Sequence, residues 1–230
     1  MTGWPQPAAK RRIDMRASLL SLLLALPAFC AAAAPLSPEQ VIEATAGAVA
    51  ERLEGRREYL EQHPEELHRL VDELLLPRFD QRYAAFLVLG REHWQAASAE
   101  QRDRFVAAFF AFLVRNYAAS LLDFDPRSLV ILPGEPPSGK RYTVHTEMRL
   151  DTGKVVPMDY RLRLTDAGWK VYDVRIEGVS YLQNYRNQFD AEIRALGLDA
   201  VIARLEQEGR DAAAGEPATT VGKRRPASTG

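Results

Sequence analysis

The spacing of apolar residues switches from a helical period to a period of two part-way along this chain and back again near its end, and that pattern restricts it to a fold of helices around antiparallel strands. Up to residue 122 the apolar positions recur every three or four residues. Leu67, Leu70, Val71, Leu74 and Leu75 form one stripe, and Phe105, Phe109, Phe112, Leu113 and Tyr117 form another, as expected of amphipathic helices that each bury one face. From Arg141 the period is two. Tyr142, Val144, Thr146, Met148 and Leu150 alternate with Arg141, Thr143, His145, Glu147 and Arg149, and Val156, Met158, Tyr160, Leu162 and Leu164 share a face in the next run. A strand with one apolar and one charged face belongs in an antiparallel sheet packed on one side.

Local signals set the boundaries. Ser37-Pro38-Glu39 starts a helix that runs to about Leu53, and a further turn spans Arg57–Gln62. Pro64 opens a helix from Glu65 to Leu76, which Pro77 stops; another runs from Phe79 to Leu89 and closes at Gly90. Ser98 and Gln101 make a capping box for the longest helix, Ala99 to about Leu122. Strands follow at Ser128–Leu132, Arg141–Leu150, Val155–Leu164 and Trp169–Glu177, joined by turns rich in Gly, Pro and Asp. A turn at Gly178 leads into a helix from about Val179 to Leu196, with Val179, Leu182, Tyr185, Gln188 and Phe189 near one face. Gly197 breaks it and Asp199 caps a last helix to about Gln207. The fold class is α+β: a curved four-stranded antiparallel sheet covered on its apolar face by N- and C-terminal helices.

The N-terminus predicts a compartment. Lys10, Arg11, Arg12 and Arg16 precede an apolar run from Leu19 to Phe29, and Ala31 to Ala34 supply small residues. This is a secretory signal peptide over 1–33, cleaved after Ala33; Met15 is an alternative start. The apolar run falls short of the roughly 20 residues of a spanning helix. Cys30 is the only cysteine and leaves with the signal, so the mature chain has neither disulfide nor thiol chemistry. Residues 34–208 form a single domain, and 209–230 form a disordered tail of Ala, Gly, Pro, Ser, Thr and basic residues. A net charge of −1 argues against nucleic acid as the partner.

Catalytic and metal-binding signatures are missing. His63, His68, His93 and His145 are the four histidines, and none sits in a metal-ligand pattern with acids or other histidines. His145 falls on the charged sheet face. Asp159 and Asp173, among Arg161, Arg163 and Arg175, read as cross-strand ion pairs at the surface. The prediction is no enzyme, no cofactor and no metal.

Several segments carry a family resemblance. GWKVYDVRIEGVS followed by NYRNQF, together with LLPRFD, LGREHWQAASAEQRDRF and VVPMDYRLRL, resembles the MlaC family, the periplasmic phospholipid-binding proteins of the Mla ABC transport system, also called toluene-tolerance auxiliary proteins. The resemblance extends from about Leu36 to Gln207. It implies a fold related to the nuclear-transport-factor-like group, with an internal apolar cavity. It also implies a periplasmic carrier of phospholipid between an outer-membrane lipoprotein complex and an inner-membrane MCE-domain protein of an ABC transporter, maintaining outer-membrane lipid asymmetry. The candidate lipid-contacting residues are Val144, Met148, Val156, Met158, Tyr160 and Leu162 from the sheet, and Phe79, Phe86, Leu113, Tyr117, Val179 and Tyr185 from the helices. The competing readings are a carrier of another apolar ligand, an interaction module with a filled core, and a nuclear-transport-factor-like isomerase or hydratase. In that last reading Asp173 would work with Tyr160 or Tyr172, although alternation puts Asp173 on the side of Trp169 and Val171, away from Tyr172.

Overall fold

The computed structural model describes residues 35–123, 125–150 and 153–213. The signal peptide, Cys30 and residues 214–230 of the tail lie outside the described residues.

The chain begins with α1 (Pro38–Leu53), whose N-terminus carries a complete capping box: Ser37 accepts from the Gln40 backbone and Gln40 reaches back to the Ser37 backbone. The short α2 (Arg57–Gln62) and α3 (Pro64–Leu74) follow. A 3-10 turn over Leu76–Arg78 then brings Phe79 into extended backbone, where it bridges Val171 in parallel. That contact replaces the helical start expected at Phe79. The next helix, α4 (Gln81–Ala96), is capped by Asp80 and interrupted at Gly90, whose backbone (φ 71, ψ 169) is closed to residues bearing a Cβ. The sequence signal at Gly90 therefore marks a kink, and helical turns resume directly after it.

Next comes α5 (Ala99–Tyr117), again with a capping box, from Ser98 and Gln101. Residues Ala99–Leu121 are long and apolar enough to cross a membrane by length and composition. Here Phe105, Phe109, Phe110 and Phe112 are instead buried in the protein core, and a core helix meets the same length and composition test.

Among the described residues the sheet has five antiparallel strands in sequential order: β1 (Leu129–Ile131), β2 (Arg141–Arg149), β3 (Val155–Thr165), β4 (Gly168–Ile176) and β5 (Val179–Ser180). The fifth strand corrects the four-strand expectation. Glu177 (φ 51) and Gly178 (φ 81) both adopt positive φ, the requirement of a two-residue hairpin turn. The chain doubles back, so that Ile176 faces Val179 and Arg175 faces Ser180. Val179 thus belongs to a strand, and α6 (Tyr181–Leu196) starts two residues later, capped by Ser180. Finally α7 (Leu198–Ala213) runs past residue 209, where the tail was expected to begin.

A second correction concerns which faces are covered. The pairing of β3 with β4 slips between Arg161 and Leu162: Leu162 faces Val171, but Arg161 faces Asp173. Tyr172 is the extra residue of this bulge. A bulge breaks alternation, so Asp173 shares the side of Arg161 and Tyr172 rather than that of Trp169 and Val171. Tyr172 and Asp173 are both buried. Tyr83 of α4 meets Tyr172 edge-on at 5.3 Å, and the start of α6 closes over Asp173. At β4 the face expected to be solvated is therefore covered by helices as well.

The interior falls into three clusters. The largest joins α4, α5, α6 and α7 around Phe105, Phe109 and Phe189. Another joins α1, α2, α3 and the end of α5 around Leu53, Leu60 and Leu67. A third sets Val41 and Ile42 of α1 against Val144, Leu162 and Val171 of the sheet. Half-buried Leu76 packs against the first two clusters, and half-buried Phe79 against the first and third.

Candidate functional site

The candidate residues of the sheet share one face, as alternation dictates. Val144 and Leu162 are buried against α1, with Tyr160 packed beside them. Met148 and Val156 are buried cross-strand partners, and Met158 is half-buried opposite Thr146. Tyr160 combines two properties. Burial pushes its phenol up to about 12, so protein surrounds it closely; yet its side chain keeps part of its surface accessible. Tyr160 thus packs into the third cluster and is half-buried rather than sealed.

The helical candidates divide. Leu113, Tyr117 and Tyr185 come together: Leu113 packs against the cluster that contains Tyr185, and the Tyr117 and Tyr185 hydroxyls lie 2.7 Å apart. Burial, followed by this hydrogen bond, pushes the Tyr185 phenol far up. Phe79 stands at the junction of two clusters. Phe86 lies apart from these, between Tyr83 and Trp94. Val179 is 42% exposed in β5.

Tyr181 was missed by the sequence reading. It packs edge-on to Tyr117 at 5.5 Å, and burial raises its phenol too. Its position four residues before Tyr185, on the same helix face, was the available signal, hidden because the helix was started at Val179. Leu74 and Leu75, placed only on a helical stripe, and Leu76, Ile131 and Val174 were likewise left off the candidates. They remain half-buried at the edges of the three clusters, which requires knowing where those edges meet.

Two concavities open on the charged side of the sheet. A cleft of about 580 Å³ is bordered by Phe79, Tyr83, Phe86 and Trp94, with Arg82, Arg163 and Lys170 among them. A smaller cavity of about 160 Å³ is bordered by Tyr83, Tyr172 and Asp173 with Arg141, Arg161 and Arg186. Asp173 is 2% exposed, which corrects its placement at the surface, while its cross-strand partner is an arginine as expected, Arg161. It accepts from Ser180 Oγ at 2.9 Å and from the Leu182 N–H at 3.3 Å, and Arg161 approaches at 3.5 Å. Both contacts besides Arg161 come from the first turn of α6, so Asp173 holds that helix end with its negative charge at the positive pole. Asp159 pairs with its cross-strand neighbour His145 at 2.7 Å rather than with an arginine. Among the described residues no three His, Cys, Asp or Glu side chains gather as metal ligands.

Residues 43–207 match the family model described as MlaC protein. The chain belongs to the MlaC family. The toluene tolerance protein ttg2D of Pseudomonas putida is 26% identical over 185 residues, covering 80% of this chain and 85% of that protein. The intermembrane phospholipid transport system binding protein MlaC of Haemophilus influenzae is 25% identical over 181 residues, covering 76% and 84%. The fold is that of a phospholipid-binding protein from Ralstonia solanacearum solved with a phospholipid. The TM-score is 0.69 at 24% identity, over 77% of this chain and 99% of that one.

Proposed function

We propose that this MlaC-family chain is a periplasmic phospholipid carrier, exported by its N-terminal signal peptide and cleaved after Ala33. The match across residues 43–207 carries the reading, since relatives spanning the same length are named for phospholipid binding and transport. The acyl chains occupy a hollow between the apolar sheet face and the helices, as in a nuclear-transport-factor-like fold. Half-buried Met158 and Tyr160 on the apolar sheet face and the division of the interior into three clusters support this placement. Its wall is formed by Met158, Tyr160, Leu113 and the half-buried leucines 74–76. Each buried CH₂ contributes about 0.8 kcal/mol, so acyl chains supply the affinity without a dedicated head-group site. Tyr117, Tyr181 and Tyr185 provide hydroxyls near the hollow for glycerol or ester oxygens.

The carrier takes lipid between an outer-membrane lipoprotein complex and an inner-membrane MCE-domain protein of an ABC transporter, and thereby serves outer-membrane asymmetry. The chemistry is binding and release; the saturated Asp173 performs a structural task, and no catalysis is assigned. Native mass spectrometry of the purified mature protein tests the core of this reading. It should show phospholipid masses that disappear on organic extraction. A protein that carries only a rigid ring compound, or nothing when refolded with phospholipid, refutes it.

A further inference from the structure

We propose that the charged face of the sheet holds a second site, for a phosphate-class oxyanion, built by Arg141, Arg161 and Arg186 around Tyr83. The sheet register creates an electrostatic problem there. Arg141 stands directly opposite Arg163, and Arg161, opposite Thr143, is its diagonal neighbour on the same face. Like charges facing each other across strands oppose folding unless something neutralises them. Asp80 sits 3.3 Å from Arg163, and Asp173 sits 3.5 Å from Arg161. Among the described residues no carboxylate pairs with Arg141 or with Arg186, and the cavity they border contains Asp173 as its single acid. That acid already accepts from Ser180 and Leu182.

The guanidinium groups are held in position. Arg141 donates to the Tyr83 hydroxyl at 2.8 Å, and the Arg161 guanidinium lies over the Tyr172 ring at 5.0 Å. Arg186 rests against the kink at Gly90, where a Cβ would come within 3.2 Å of its guanidinium. Three planar donors therefore border one cavity of about 160 Å³, space for roughly five waters at about 30 Å³ each. A tetrahedral oxyanion matches both that size and the paired donors of arginine. The site lies on the opposite sheet face from the proposed acyl hollow, so it stands whether or not that hollow is correct.

The shared chemistry is a phosphate group, free or carried on a lipid. Inorganic phosphate and a short-chain phosphatidic acid below its micelle concentration would each be titrated into the mature protein, followed by calorimetry and by thermal melting against chloride of matched ionic strength. Saturable binding of either probe is expected, weakened roughly ten-fold or more by Arg141→Gln or Arg186→Gln. Far-ultraviolet dichroism would show that the variants fold. Binding of inorganic phosphate identifies a free anion as sufficient, and arginine-dependent binding of the phosphatidic acid alone identifies a lipid head group. If neither probe binds, or if every binding seen is as tight in the combined Arg141→Gln and Arg186→Gln variant as in the natural chain, the proposal fails.

Discussion

Asp173 shows how one residue's role depends on its neighbours. Its carboxylate accepts from Ser180 and Leu182 at the start of α6 while fully buried. Asp173→Ala should destabilise the fold on the order of 3 kcal/mol, because the helix end and Arg161 both lose their counter-charge. Asp173→Asn, which keeps an acceptor, should lose less; denaturant unfolding measures both. His68 makes a pH-dependent contribution. Burial, with the nearby Arg115, lowers its pKa, while Asp72 and Glu65 oppose the shift. A lowered pKa means that the folded state disfavours the proton. The contribution is then fully present above the ordinary histidine value of 6.5 and is lost as the pH falls below it. Asp72, raised by burial, has the opposite sign and favours the fold as acid protonates it. Melting temperature followed from pH 7 to pH 5 should fall less steeply in His68→Gln than in the natural chain.

Among the elements, the kink in α4 and the hairpin before α6 matter most. Gly90 combines positive φ with close contact to Arg186. Gly90→Ala should cost about 1–3 kcal/mol, readable as a lower denaturation midpoint, and a flexible guanidinium will give way more easily than the backbone. The Gly90 signal was legible as punctuation, since glycine ends helical runs. Whether the chain leaves the helix there or merely turns within it depends on what packs on the far side. The hairpin at Glu177-Gly178 was harder to read. Glycine was visible, but glutamate seldom takes positive φ, so β5 looked like the first turn of a helix and Val179 was assigned to the wrong element. The bulge at Tyr172 had no local signal. Strict alternation through GWKVYDVRI predicts one side for Asp173, and the slip of register puts it on the other.

For the whole molecule, the ligand should contribute measurably to stability. Lipid present at about a hundred times its dissociation constant stabilises the fold by roughly 2.7 kcal/mol. A domain of this size should then melt roughly 5–10 °C lower once stripped by organic extraction, and scanning calorimetry reads the difference. Met158→Trp separates a hollow from a packed core. In a hollow, the added bulk should abolish lipid loading in native mass spectra while the stripped variant melts like the stripped parent. In a packed core, it should cost about 1–3 kcal/mol.

Hydrophobic period, capping boxes and turn residues are local properties, and they were enough to announce an α+β chain, the order of its helices and strands, and the shared face of Val144, Tyr160 and Leu162. The motifs from LLPRFD to NYRNQF announced the family. Contacts distant in sequence settled the rest. A slipped register turned Asp173 inward, helices α4 and α6 covered the arginine face, and three clusters met at Leu76 and Phe79 without merging. Periodicity reports which side of an element avoids water, because that depends on neighbours three, four or two residues away. It carries no information about what meets that side, because the partner is supplied by chain far removed in sequence and the fit depends on the shape of both.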